Sequence, residues 1–269
     1  MNLKRVISAV VLFPLVVVLL VFGNTYIVDL AFCLVALMSM YEYFNAFKNK
    51  AHPIKWIGYL SCFVIALIHI IPKEFGTITI GISMPVVVLI LFLQVIITNM
   101  KTNVGDVAIT FFGICYIVGF ILFIPLLINA TNGKFLVWYI LFAGWGTDLF
   151  AFIVGKCIGK HKFSKVSPNK SIEGCVGGTI GAVIAVLIYT YVLNIYANLG
   201  INISYVYIAI VAVILSIIGQ IGDFAASSIK RYVEIKDFSD LIPGHGGMLD
   251  RFDSVIFIAP FAYFLLTLI

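Results

Sequence analysis

The sequence predicts an all-α polytopic membrane protein of about nine transmembrane helices with its N-terminus in the cytoplasm, and three observations predict it. The 269 residues are 62% hydrophobic and only 11% charged, against about 25% charged in soluble domains. Apolar runs of spanning length, roughly 17 to 25 residues, recur from end to end. With the N-terminus inside, every Lys and Arg except Lys73 and Lys134 falls in an inner segment, the bias that cytoplasmic loops carry.

The apolar runs place spans at 6–22, 26–44, 56–71, 78–98, 107–128, 135–155, 175–194, 204–224 and 254–269. Lipid leaves no water for unpaired backbone groups, and these runs lack the ten-residue alternation of barrel strands, so they read as helices. The first follows Lys4-Arg5 as a signal sequence would, but no Ala-x-Ala pattern follows it and it reads as a retained helix. The third and ninth are the shortest. No stretch of soluble composition is long enough for a separate domain, so residues 1–269 read as one integral membrane domain. The net charge of +5 is accounted for by this topology and calls for no nucleic acid. Cys33, Cys62, Cys115, Cys157 and Cys175 show no Cys-x-x-Cys spacing and read as small apolar residues.

Only two connections are long and charged, Lys156 to Gly174 and Lys230 to Asp253. Two spans separate them, so both emerge on the cytoplasmic side. A basic loop that merely meets anionic headgroups accounts for much of the first, although Ser167-Pro168 can open a short helix whose backbone N–H groups, with Lys170 beside them, suit a phosphate. The second mixes Glu234, Asp237, Asp240, Asp250 and Asp253 with Lys230, Arg231, Lys236 and Arg251. Such mixed charge suits a site that handles phosphate and metal together. Asp250 and Asp253 are spaced i, i+3 and share a helix face, and hard oxygen ligands are what Mg²⁺ takes beside substrate phosphates. Gly244, Gly246 and Gly247 bracket His245 and let backbone approach a ligand closely.

Asp148 and Asp223 lie inside apolar runs, where an ionisable group costs roughly 2.5–3.5 kcal/mol and is functional by default. Asp148 precedes Lys156 and Asp223 precedes Lys230 by similar distances in sequence, which puts both roughly 10–12 Å in from the cytoplasmic end. Both are expected to line one cavity open to the inside. Gly219 and Gly222 permit close helix packing beside Asp223, and Ser227 and Lys230 continue its face at one-turn intervals. Asp29 sits near the outer interface, where it is expected to snorkel, and Asp106 reads as part of an ordinary inner loop. Glu42, at the inner end of the second span, is left open.

Residues Ser227 to Asp253, SSIKRYVEIKDFSDLIPGHGGMLDRFD, resemble the signature of the phosphatidate cytidylyltransferase family. The match runs through Ser227, Lys230-Arg231, Lys236-Asp237, Ser239, Ile242-Pro243, His245-Gly246-Gly247, Asp250-Arg251 and Asp253. Upstream, Thr147-Asp148, Gly155, Gly159, Ser167-Pro168-Asn169-Lys170-Ser171-Ile172-Glu173-Gly174 and Gly177-Gly178 resemble a second block. There Asn169 stands for a usual Lys, Ser171 for Thr and Ile172 for an aromatic residue. The motifs divide the chain into N-terminal helices, 1–134, and catalytic helices with cytoplasmic loops, 135–269.

The resemblance implies an enzyme of phospholipid biosynthesis, transferring cytidylyl from CTP to phosphatidic acid with Mg²⁺ to give CDP-diacylglycerol and pyrophosphate; compact length without a targeting extension adds the expectation of a bacterial plasma membrane. It implies metal ligands in Asp148, Asp223, Asp250 and Asp253. Substrate contacts follow at Lys170, Glu173, Ser227, Lys230, Arg231, Lys236, His245, Gly246, Gly247 and Arg251. The catalytic set is Asp223, Lys230, Arg231, Lys236, Asp237, His245, Asp250 and Arg251. Glycine-rich helix faces leave room for a homodimer. Rival readings stand beside this one, among them a cytidylyltransferase acting on an ether lipid. A transporter could use Asp148 and Asp223 as ion ligands, and a CTP-dependent polyprenol kinase would transfer the γ-phosphate instead.

Overall fold

The computed structural model describes residues 14–70, 73–164, 167, 170–196, 203–242, 244 and 246–268. Residues 14–22 are helical (α1). They are followed by α2 (Thr25–Ala46), α3 (Lys55–Leu67), α4 (Lys73–Ile97) and α5 (Val104–Gly113), which runs into a π-helical segment, Ile114–Gly119. Then come α6 (Phe123–Ile128), α7 (Gly133–Ile158), α8 (Ile172–Tyr196), α9 (Tyr205–Tyr232) and α10 (Met248–Leu266). Among the described residues there are no strands, only isolated bridges at Lys162–Ser171 and Ile242–Gly246, one in each charged connection.

Five helical stretches among the described residues are long and apolar enough to cross a membrane: Thr25–Ala46, Val104–Ile128, Gly133–Ile158, Ile172–Ile195 and Tyr205–Tyr232. At 13 residues, α3 is about 20 Å long, short of a hydrocarbon core of about 30 Å. The expected 6–22 span lies partly outside the described residues. The expected 254–269 span is α10, which begins six residues earlier, at Met248, and so takes Asp250, Arg251 and Asp253 into its first turns. α7 and α9 likewise outrun their apolar runs and carry Lys156, Lys230 and Arg231 in their last turns, where the helix dipole favours cations. Much of the charge expected in loops therefore sits on helix ends.

The chain forms two compact units, Met1–Pro125 with Tyr232–Arg251, and Leu126–Arg231 with Phe252–Ile269. The first is built around α2, whose Met40, Tyr43 and Phe44 are buried. Gly58 lies directly under the Phe44 ring, and a Cβ on Gly113 would come within 2.7 Å of Tyr43. Asp106 is no ordinary loop residue: it is fully buried, closes a capping box with Asn103 and accepts the His52 N–H at 2.7 Å, tying the 47–54 connection to α5. Asp29 does not snorkel. It is fully buried and paired with His69 Nδ1 at 2.8 Å, because a partner in the turn just past α3 removes the need to reach water.

In the second unit α7 and α8 interlock through glycines. A Cβ on Gly178 would meet the Thr147 carbonyl oxygen at 2.8 Å, one on Gly146 would meet Ala182 Cα at 3.1 Å, and Gly181 lies under Phe150. α9 meets α10 in the same way, since a Cβ on Gly222 would come within 2.7 Å of the Asp253 carbonyl oxygen and one on Gly219 within 2.8 Å of Ile258. The expected close packing beside Asp223 is thus present, with van der Waals contact as its source. Tyr139 and Thr190 share a hydrogen bond of 3.0 Å between α7 and α8.

Candidate active site

In the second unit the connection from α7 to α8 is folded back on itself and delivers one side chain, Lys170. Phe163 N–H donates to Lys170 O at 3.0 Å and Ile172 N–H to His161 O at 2.9 Å. Ser171 Oγ accepts the Gly174 N–H at 3.1 Å, an N-terminal cap for α8. Glu173, in the first turn of α8, holds the other side of the connection. It accepts the Lys160 and His161 N–H groups at 3.2 Å and pairs with His161 Nδ1 at 2.6 Å. Glu173 is thereby committed to loop architecture.

Lys170 Nζ forms an ion pair with Asp223 Oδ2 of α9, both side chains about a quarter exposed, at 28% and 24%. Its ammonium lies 4.7 Å from the centre of the Phe224 ring, a cation–π contact, and Phe224 stacks on Phe163 with centroids 4.7 Å apart. The Asp148 and Asp253 carboxylates attract the same ammonium and Lys230 repels it, while burial pulls Lys170 below the ordinary lysine range. Asp148 is exposed on α7; Asp253, Ser227 and Lys230 are half-buried, with Ser227 one turn after Asp223 on α9. Four of the expected residues therefore act on Lys170, and no local pattern in the sequence pairs it with Asp223.

A ladder of hydroxyl and amide contacts runs through the same unit. Thr147 Oγ1 donates to Ser216 Oγ at 2.7 Å, and Ser216 Oγ donates to Thr179 Oγ1 at 3.2 Å. Gln220 Nε2 reaches Thr179 Oγ1 at 3.1 Å and the Cys175 carbonyl at 3.3 Å. It joins α7, α8 and α9. Hydroxyls are common in helices and carry little signal; Gln220, an amide inside an apolar run, is the one residue of the ladder that could have flagged it.

The first unit holds the other charged connection. Asp250 is buried, and its Oδ2 accepts the Phe238 N–H at 2.8 Å and the Gly247 N–H at 3.1 Å. Glu42 is 1% exposed. Its carboxylate accepts Ser239 Oγ–H at 2.6 Å and the Met248 and Leu249 N–H groups, each at 2.8 Å. Gly246 has φ +80° and a Cβ there would lie 3.2 Å from Asp250 Oδ2 and 3.6 Å from Asp237 Cβ, so Asp237 packs across it. Lys236, Asp237 and Arg251 are exposed, and Lys50 pairs with Glu234 at the surface at 2.9 Å. His245 lies outside the described residues, as do Pro168 and Asn169.

Among the described residues no three His, Cys, Asp or Glu side chains are gathered closely enough to hold a metal. The donor type in the second-unit cluster is nonetheless the one Mg²⁺ takes, with substrate phosphates completing its shell. Asp223, Asp148 and Asp253 are hard oxygen donors that already act on one cation, the Lys170 ammonium, and Mg²⁺ is held by a few carboxylates plus substrate phosphates.

The model of the cytidylyltransferase family matches residues 3–269, nearly the whole chain. The chain belongs to the cytidylyltransferase family. A phosphatidate cytidylyltransferase of Bacillus subtilis (strain 168) is 37% identical over 187 residues, 68% of this chain and 66% of that protein. Two others named phosphatidate cytidylyltransferase are 30% identical. The one from Staphylococcus haemolyticus (strain JCSC1435) aligns over 97% of this chain and 98% of its own, and the one from Staphylococcus aureus (strain COL) over 98% and 97%. The Lys170–Asp223 pair, 53 positions apart in sequence, ties the upstream motif block to α9, four residues before Ser227.

Proposed function

We infer that this membrane protein transfers the cytidylyl group of CTP to phosphatidate, giving CDP-diacylglycerol and pyrophosphate. Family membership makes it a nucleotidyltransferase. The observation that carries the site is Lys170, held by Asp223 within reach of the Asp148 and Asp253 carboxylates. A lysine ringed by acids can exchange those partners for phosphate oxygens, and the released acids can take a metal.

A phosphate oxygen of the lipid attacks the α-phosphorus of CTP; a new O–P bond forms as the bond to the β-phosphate oxygen breaks and pyrophosphate departs. No protein nucleophile is needed, because positioning and charge neutralisation supply most of the acceleration. Asp148, Asp223 and Asp253 would hold Mg²⁺, while Asp250 stays with the Phe238 and Gly247 N–H groups. Mg²⁺, when bound, neutralises charge on the triphosphate. Lys170, Lys230, Arg231, Lys236, His245 and Arg251 contact phosphates, and Ser227 contacts substrate along α9. Asp237 orients a base or a loop cation. Gly246 and Gly247 keep the connection close to substrate, and Glu173 holds the loop that presents Lys170.

The site faces the cytoplasm of a bacterial cell in a nine-span, single integral membrane domain with the N-terminus inside. The same reading leaves room for a homodimer, which light scattering in detergent would detect. The chemistry is tested in mixed micelles with phosphatidate, Mg²⁺ and CTP labelled separately at the α- and γ-phosphates. The expected result is α label in the lipid and γ label in pyrophosphate. Label from γ in the lipid would establish a kinase instead, and no transfer by folded protein would reopen the transport reading.

A further inference from the structure

We propose that Glu42 is a positioning residue for the reaction, a buried carboxylate on α2 that sets the start of α10 and the glycine connection leading into it. The inference rests on the assignment of residues 236–251 to the active site.

Glu42 is 1% exposed and accepts from donors 197, 206 and 207 positions away in sequence, Ser239 Oγ, Met248 N and Leu249 N. Asp250 Oδ2 takes the preceding N–H, that of Gly247. Two carboxylates therefore consume the N–H groups of residues 247, 248 and 249, the donors that a helix start would otherwise offer to an anion. Those three donors are already taken by protein carboxylates, which leaves substrate phosphates to the cationic side chains. It also gives Gly247 a reason of its own. A Cβ there would stand 2.5 Å from Glu42 Oε2 and 2.7 Å from its Cδ, so the residue is glycine because a carboxylate lies against its backbone.

The geometry makes Glu42 and Gly247 a coupled pair. Glu42→Gln cannot serve all its donors: Oε1 takes Ser239 and Met248 while Oε2 takes Leu249, so the amide NH₂ faces a backbone N–H whichever way it is turned. Gly247→Ala drives a methyl group into the carboxylate. Glu42→Asp, one methylene shorter, withdraws the carboxylate and makes room for that methyl.

The test is kinetics of the full-length protein in detergent with CTP, phosphatidate and Mg²⁺, for Glu42→Gln, Glu42→Asp, Gly247→Ala and the Glu42→Asp/Gly247→Ala double variant, with the folded fraction measured by thermal unfolding. The expected result is that Glu42→Gln loses at least about tenfold in kcat per folded molecule while KM for both substrates moves less than about threefold. The double variant should be at least about fivefold more active than the product of the single losses, since residues in contact are not additive. Normal kcat per folded molecule in Glu42→Gln, or additive losses in the double variant, overturns the proposal. Asp250→Asn in the same series separates two failures. If it is fully active, the assignment of the connection to the active site fails; if it is inactive while Glu42→Gln is normal, the role of Glu42 alone fails.

Discussion

The two charged connections spend their carboxylates in opposite ways. Around Lys170 the acids face a cation: Asp223 holds the ammonium directly and Asp148 and Asp253 attract it. Around Gly247 the acids face the backbone: Glu42 and Asp250 together accept four backbone N–H groups and one hydroxyl. An ion pair that is a quarter exposed can be traded for a phosphate or a metal at little cost. A buried carboxylate that satisfies backbone donors cannot leave without stranding them, at about 1–3 kcal/mol for each. The first arrangement suits chemistry and the second suits architecture.

The largest effect that would sharpen this contrast belongs to Asp223. Asp223→Asn should lower kcat by about 10²–10³-fold, the scale on which preorganised charge acts, with the unfolding midpoint moved by only a few degrees, because the pair it breaks is partly exposed. Retained activity in that variant would break the contrast. Next in size is the stability of Asp250→Asn, which weakens two charge-assisted bonds to backbone and should cost on the order of 1–3 kcal/mol, read as a lower denaturant midpoint in detergent. Lys170→Arg follows. Arginine keeps the charge but not the compact ammonium over Phe224, and an intermediate loss in kcat/KM for CTP, about tenfold, is expected. The smallest effect is Ser216→Ala, which cuts the Thr147–Ser216–Thr179 ladder and should cost about 0.6 kcal/mol, the typical value of an interhelical hydrogen bond in a membrane bundle.

What the sequence revealed follows the same division. Apolar length is a local signal, and it marks the helices from α2 onward. It could not show that α9 continues to Tyr232 or that α10 starts at Met248, because polar residues on a helix end look like loop. The chemistry-bearing residues were legible as types in a pattern. Their pairings were not. Lys170 and Asp223 are 53 positions apart, and no local rule joins them. Glu42 was harder still, since its partners are mainly backbone N–H groups, which carry no sequence signal. Gly247 stood out, but the carboxylate that requires it lies about 200 residues away on α2. The burial of Asp29 is hidden for the same reason, its partner His69 being 40 positions on.

The most direct test of the contrast sets Asp223→Asn beside Asp250→Asn in Mg²⁺-free detergent, measuring the unfolding midpoint of each and then kcat per folded molecule after Mg²⁺ is restored. The account predicts that Asp223→Asn unfolds almost as the parent protein does yet is at least about 10²-fold slower, and that Asp250→Asn unfolds distinctly earlier. An Asp223→Asn protein that unfolds as early as Asp250→Asn and turns over normally when folded would contradict it.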